Sequence, residues 1–161
     1  MVCGLGTPIV CTLFEYQVYT SGAVFVTPSA LTLSPAGAVV SFTGLVRDLN
    51  QGEAVARMTL EHYPGMTEKA LEEIVNEAIS RCDLTDVAVI HRVGELRPSD
   101  QIVLVAVTSA HRGDAFAACE FIMDYLKTRA PFWKKERLKD GSSRWVEARS
   151  SDDEAAERWK E

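Results

Sequence analysis

Strand-like runs come in adjacent pairs in this sequence, and each pair is followed by one stretch of helical periodicity, which restricts the folds open to it. Ala38 to Val46 is β-branched and aromatic, Asp48 to Gly52 carries turn chemistry and Ala54 to Tyr63 is again extended, predicting a β-hairpin. Pro64-Gly65 breaks that run. Leu71, Ile74, Val75, Ala78 and Ile79 then recur at helical spacing, with Glu68 in the first turn, predicting a helix over 67–81. Val87 to Val93 and Ile102 to Thr108 predict a second hairpin around the turn formers of Gly94 to Asp100. Phe116, Cys119, Met123 and Leu126 mark the buried stripe of a helix over 113–128 that Pro131 ends. Phe132 to Leu138 and Arg144 to Ala148 predict a third strand pair around Asp140 to Ser143, and Ser151 to Glu154 reads as a capping box opening a terminal helix. The order is β-β-α-β-β-α-β-β-α. Hairpins in place of repeated single crossovers predict an α+β fold with a mixed, mostly antiparallel sheet.

A length of 161 residues supports one domain with a sizeable core. Residues 1–36 carry one charge, Glu15, and read as a lead-in with a strand at 23–27, leaving 37–161 as the domain. With 47% hydrophobic and 25% charged residues the chain is neither disordered nor collagenous, and no apolar stretch approaches the length of a membrane-spanning helix. The first Lys or Arg is Arg47, so no cationic leader is legible and a cytoplasmic protein is expected. Cys3, Cys11, Cys82 and Cys119 show neither a Cys-x-x-Cys pair nor zinc spacing, so reduced thiols and no metal are expected, with Cys119 packed in the core.

Charge is unevenly placed. The net charge is −6, yet residues 121–149 hold eight Lys/Arg against four acids, leaving +4 there and −10 elsewhere. Such a stretch inside an acidic protein predicts a confined anion site and argues against nucleic acid as the main partner. His111-Arg112 lies between a strand end and a helix start, where free backbone N–H groups and the helix dipole favour an anion. Lys127 falls in the last turn of its helix, and Lys134 follows after the Pro131 break, so the two ammonium groups can reach one pocket. Clustering with Arg129 and Lys135 would depress a lysine pKa, as a base, acid or nucleophile near neutral pH requires. Phe132-Trp133 is either core packing or a stacking platform, and His91 shares strand parity with Val87, Val89 and Val93 as a core or edge histidine. Arg47 follows Gly44-Leu-Val, where the glycine would allow close ligand approach.

Five segments resemble the catalytic (large) subunit of molybdopterin synthase: Gly37-Ala-Val-Val-Ser-Phe-Thr-Gly-Leu-Val-Arg47, Leu60-Glu-His-Tyr-Pro-Gly-Met66, Ile90-His-Arg-Val-Gly-Glu95, Thr108-Ser-Ala-His-Arg112 and Asp124-Tyr-Leu-Lys-Thr-Arg-Ala-Pro-Phe-Trp-Lys-Lys-Glu136. The resemblance runs collinearly over about 37–159 and implies an alpha/beta hammerhead-like fold. It implies insertion of two sulfurs into cyclic pyranopterin monophosphate to form the dithiolene of molybdopterin, without a bound cofactor. Sulfur would arrive as a thiocarboxylate on the Gly-Gly tail of a small ubiquitin-like subunit, one at each end of a dimer of large subunits. By position, Arg47, His111 and Arg112 would bind the substrate, with Leu45 and Val46 beside them. Lys127 and Lys134 would be the catalytic lysines, Lys127 the first choice for acid/base work, and Lys135 and Glu136 would line the same pocket. Arg149, in the basic C-terminal strand, would bind substrate as well, in this pocket or in that of the other protomer of a dimer. Position 45 departs from what a phosphate loop would favour, so Leu45 would contribute through its backbone. Two other readings stand beside this one: a noncatalytic module that holds a ubiquitin-like tail or a phosphate, and a single-strand nucleic-acid binder, which the −10 remainder opposes.

Overall fold

The computed structural model describes residues 22–26, 31, 33, 35–147 and 149–160. Cys3, Cys11, most of the lead-in, residue 27 of the strand expected at 23–27, and Ala148 lie outside the described residues. The elements are β1 (Ala23–Val26), β2 (Ala38–Leu45), β3 (Leu49–Asn50), β4 (Glu53–His62), α1 (Met66–Arg81), β5 (Asp86–Arg92), β6 (Gly94–Leu96), β7 (Gln101–Ser109), α2 (Arg112–Thr128), β8 (Phe132–Leu138), β9 (Ser143–Val146) and α3 (Ser150–Glu157). They form one sheet in the order β1-β5-β7-β2 and a second in the order β3-β4-β8-β9, with β6 also on β4. Every pairing among the described strands is antiparallel, an α+β architecture.

The first sheet carries the core because β5 and β7 are buried on both faces, which explains their nearly continuous apolar runs. Val87, Val89, Val103, Val105 and Val107 meet Leu71, Ile74, Val75 and Ala78 of α1 and Ala118, Cys119, Ile122 and Tyr125 of α2. Their alternates Ala88, Ile90, Leu104 and Ala106 pack with Leu31 on the opposite face. Helix α1 starts where Gly65, at φ 82°, turns the chain, and Glu68 accepts a hydrogen bond from the Gly65 N–H at 2.6 Å. The helix matches the expected 67–81 within one residue.

Four expectations are corrected. Strand β2 does not pair with β4. It runs along β7, with Val40 opposite Val107 and Phe42 opposite Val105, until a register shift between Gly44 and Leu45 delivers the chain to the second sheet. The expected turn is real, but at Gln51 (φ 53°) and Gly52 (φ 81°) it joins only β3 to β4, as two successive left-handed residues suit a two-residue hairpin loop. Part of the segment read as turn between β5 and β7 is strand β6, whose Leu96 lies opposite Met58 and joins Val46 and Leu60 in a second core. Phe116 is exposed, because the buried face of α2 is centred on Ala115, Ala118, Ile122 and Tyr125. No capping box forms at α3: Arg149 occupies the N-cap position without a side-chain cap bond, so the carboxylates of its first turn are available elsewhere.

Candidate active site

Where the two sheets meet the end of α2, a cleft of about 530 Å³ opens. Strand β8 supplies its wall by alternation: Phe132, Lys134 and Glu136 face the cleft, while Trp133, Lys135 and Arg137 are exposed on the opposite side. The end of α2 contributes Met123 and Lys127, the run out of β2 contributes Leu45 and Arg47, and the segment after β9 contributes Arg149 and Asp152.

Lys134 is largely withdrawn from water, and its pKa lies below the ordinary lysine value. Burial is the main cause, the Lys127 ammonium adds to it, and Arg149 and Arg47 act in the same direction while Asp152 opposes them. Lys127 Nζ is 3.2 Å from Asp152 Oδ1, so the first turn of α3 steers the side chain that ends α2. Behind Lys134, His91 stacks on Phe132 with ring centroids 3.8 Å apart. Its Nδ1 is 2.9 Å from the Arg92 carbonyl oxygen, which can only accept, so Nδ1 carries the proton.

Burial pushes the His91 pKa down to about 4 from 6.5. Between those pH values the unfolded chain binds the extra proton, so stability present above pH 6.5 is lost as pH falls through about 4. We expect this group alone to remove on the order of 3 kcal/mol of unfolding free energy between pH 7 and pH 4. Urea denaturation at a series of pH values checks it. His91→Phe should flatten the slope, and an unchanged slope would refute a buried neutral imidazole.

Glu136 is almost completely buried and accepts hydrogen bonds from Asn50 Nδ2 at 2.8 Å and from Arg144 Nε at 3.1 Å. Arg144 also pairs with Glu53 and donates to the Asn50 carbonyl at 3.0 Å. On its other side, Asn50 Oδ1 accepts from an Arg149 guanidinium nitrogen at 3.0 Å.

Of the residues singled out from sequence, the fold brings Leu45, Arg47, Lys127, Lys134, Glu136 and Arg149 to one cleft. Arg149 lines the cleft of its own chain. Lys135 is turned away by strand parity, with Nζ 5.4 Å from the centre of the Trp145 ring. Val46 points into the second core, and Gly44 is required less for ligand approach than for packing, since a Cβ there would meet Val103 Cγ1 at 2.8 Å. Arg129 lies over Tyr125 and pairs with Glu77, outside the lysine cluster. His111 and Arg112 are exposed at the start of α2 and do not line the cleft of their own chain. Sequence reasoning missed Asn50 and Asp152, which it read as turn and cap. Burial pushes the Cys119 thiol up to about 11, which suits core packing and not a nucleophile. Among the described residues no group of His, Cys, Asp or Glu is arranged to hold a metal ion, and no helix is long and apolar enough to cross a membrane.

An antiparallel α+β domain whose cleft gathers two lysines and two arginines around a buried carboxylate defines the class: an enzyme subunit for an anionic substrate. The family described as MoaE protein matches residues 21–129. A Ralstonia nicotianae relative named molybdopterin synthase catalytic subunit is 68% identical over 123 residues, covering 76% of this chain and 69% of the relative. The structure of a molybdopterin biosynthesis MoaE protein from Burkholderia ambifaria is 63% identical, with a TM-score of 0.65 over 78% of this chain and 81% of that one. A Helicobacter pylori structure, described as a complex of subunits 1 and 2 of molybdopterin-converting factor, shares the fold at 19% identity, with a TM-score of 0.57 over 71% of this chain and 74% of that one. This chain belongs to the MoaE family.

Proposed function

We propose that the chain is the catalytic subunit of a molybdopterin synthase, transferring sulfur from the thiocarboxylated tail of a small ubiquitin-like subunit to cyclic pyranopterin monophosphate. The convergence of Lys127, Lys134, Arg47 and Arg149 on one cleft carries this reading, because a phosphate and a thiocarboxylate are both anions. The thiocarboxylate sulfur attacks a side-chain carbon of the pterin, and as this C–S bond forms a C–O bond of the same carbon breaks, its oxygen leaving as water or as the phosphate oxygen when the cyclic phosphate opens, which leaves the tail joined as a thioester. Water then adds to its carbonyl, the acyl C–S bond breaks, sulfur stays on the pterin, and the tail leaves as a carboxylate. Each tail carries one sulfur, so a dithiolene consumes two. The proton transfers need a positioned acid/base group, and Lys134 suits them because it lies in the cleft with its pKa below the ordinary lysine value. Lys127, held by Asp152 beside it, suits the anion. Sulfur arrives on the partner, so no cysteine of this chain takes part, and the unpaired thiols of Cys82 and Cys119 accord with a cytoplasmic setting.

His111 and Arg112 do not line their own chain's cleft, so we assign them to the cleft of a second copy in a dimer. Pairing a Lys127→Ala chain with an Arg112→Ala chain should then regenerate one intact cleft and part of the activity. No recovered activity in the mixed dimer would place both residues elsewhere.

Mixing the purified protein with thiocarboxylated partner and pyranopterin substrate tests the function itself. Dithiolene product is expected, and Cys119→Ser should form it as fast as the wild type. Binding of tail and substrate without product would leave a noncatalytic module, which would need Arg47 but not Lys127.

A further inference from the structure

We propose that Asn50 is a positioning residue that aims Arg149 into the cleft while leaving its charge free for the substrate. This rests on the reading of Arg149 as a substrate-binding group. The Glu136 carboxylate only accepts hydrogen bonds and the Arg149 guanidinium only donates them. An amide between them has one satisfactory orientation, with its NH₂ toward Glu136 at 2.8 Å and its oxygen toward Arg149 at 3.0 Å. Turned over, it would set oxygen against carboxylate and NH₂ against guanidinium, and both contacts would repel.

The surrounding fold holds the amide there. Asn50 is buried, its backbone carbonyl accepts from Arg144 at 3.0 Å, and the two-residue turn at Gln51-Gly52 fixes its register opposite Glu53. Arg144 also bonds Glu136, so this carboxylate already has a cationic partner away from the cleft. A direct pair between Glu136 and Arg149 would consume the cation that the cleft presents. The neutral amide instead uses one donor of the guanidinium and leaves the others for an anion.

The test is a double-mutant cycle in the reconstituted synthase, with KM for the pyranopterin substrate and kcat measured separately. Asn50→Leu should raise KM about tenfold with a smaller effect on kcat. Asn50→Ala removes both amide contacts without setting a second carboxylate beside Glu136, and should raise KM as well, which keeps the proposal testable if the leucine variant folds poorly. In an Arg149→Ala background neither change at Asn50 should raise KM further, whereas a purely structural role would add to it. If Arg149→Ala raises KM but the Asn50 variants do not, or if the effects add, the positioning role is overturned while Arg149 keeps its function. If Arg149→Ala leaves KM unchanged, the reading of Arg149 fails and the proposal falls with it.

Discussion

Replacing Lys134 by alanine should lower the rate of dithiolene formation by about 10² to 10⁴-fold, the range lost when a positioned acid/base group is removed. The expectation follows from where β8 places the side chain: inside the cleft, largely out of water, and facing the ammonium of Lys127. Lys134→Arg should not rescue the rate, since a guanidinium keeps the charge but cannot give up its proton near neutral pH. The pH profile offers a finer check. With its pKa below the ordinary lysine value, the neutral form of Lys134 appears at lower pH than for a free lysine, and the ascending limb should follow it. Asp152 raises that pKa, so Asp152→Asn should move the limb to lower pH. Retention of more than about a tenth of the wild-type rate by Lys134→Ala would remove it from acid/base work.

Glu136→Leu should cost about 3 to 5 kcal/mol of stability, the largest effect expected outside the apolar core. Glu136 is only 2% exposed, and its removal strands the Asn50 amide and one face of the Arg144 guanidinium. Much of that cost is the orphaned partners and not the worth of the pair, so Glu136→Leu combined with Arg144→Met should be less destabilised than Glu136→Leu alone. Urea denaturation of the three proteins decides it. A single variant within about 1 kcal/mol of the wild type would mean that the carboxylate is not an anchor.

Local periodicity made the helices legible: α1 and α2 fall within one residue of their expected spans because both signals lie within a few turns of chain. Partner choice was not legible. Nothing in Ala38 to Val46 says that its neighbour is β7, more than fifty residues on, and not β4, because an extended run advertises its state and not its mate. In the site, the spacing of Lys127 and Lys134 across Pro131 allowed one pocket and the family resemblance paired them, whereas Arg47 and Arg149 reach them only through the fold. Strand alternation in Phe132 to Glu136 is enough by itself to set Lys135 on the face opposite Lys134. Asn50 and Asp152 carry no such signal: turn and helix-start positions take Asn and Asp for local reasons, which hides a longer-range use.

The alternation of β8 also ties the site to the register of one strand pair. The link between α2 and β8 is Arg129-Ala130-Pro131, and the pairing that follows it, Lys134 opposite Leu60 and Lys135 opposite Thr59 on β4, sets 134 inward. A slip of β8 by one residue along β4 would leave the composition untouched and still exchange the two lysines, sending Lys134 and Glu136 to solvent and bringing Trp133 and Lys135 in. A slip of two residues would preserve the facing, while an odd slip would silence the site and also unseat Glu136 and the buried Leu138. The β4–β8 register is therefore as much a part of the site as the lysines themselves.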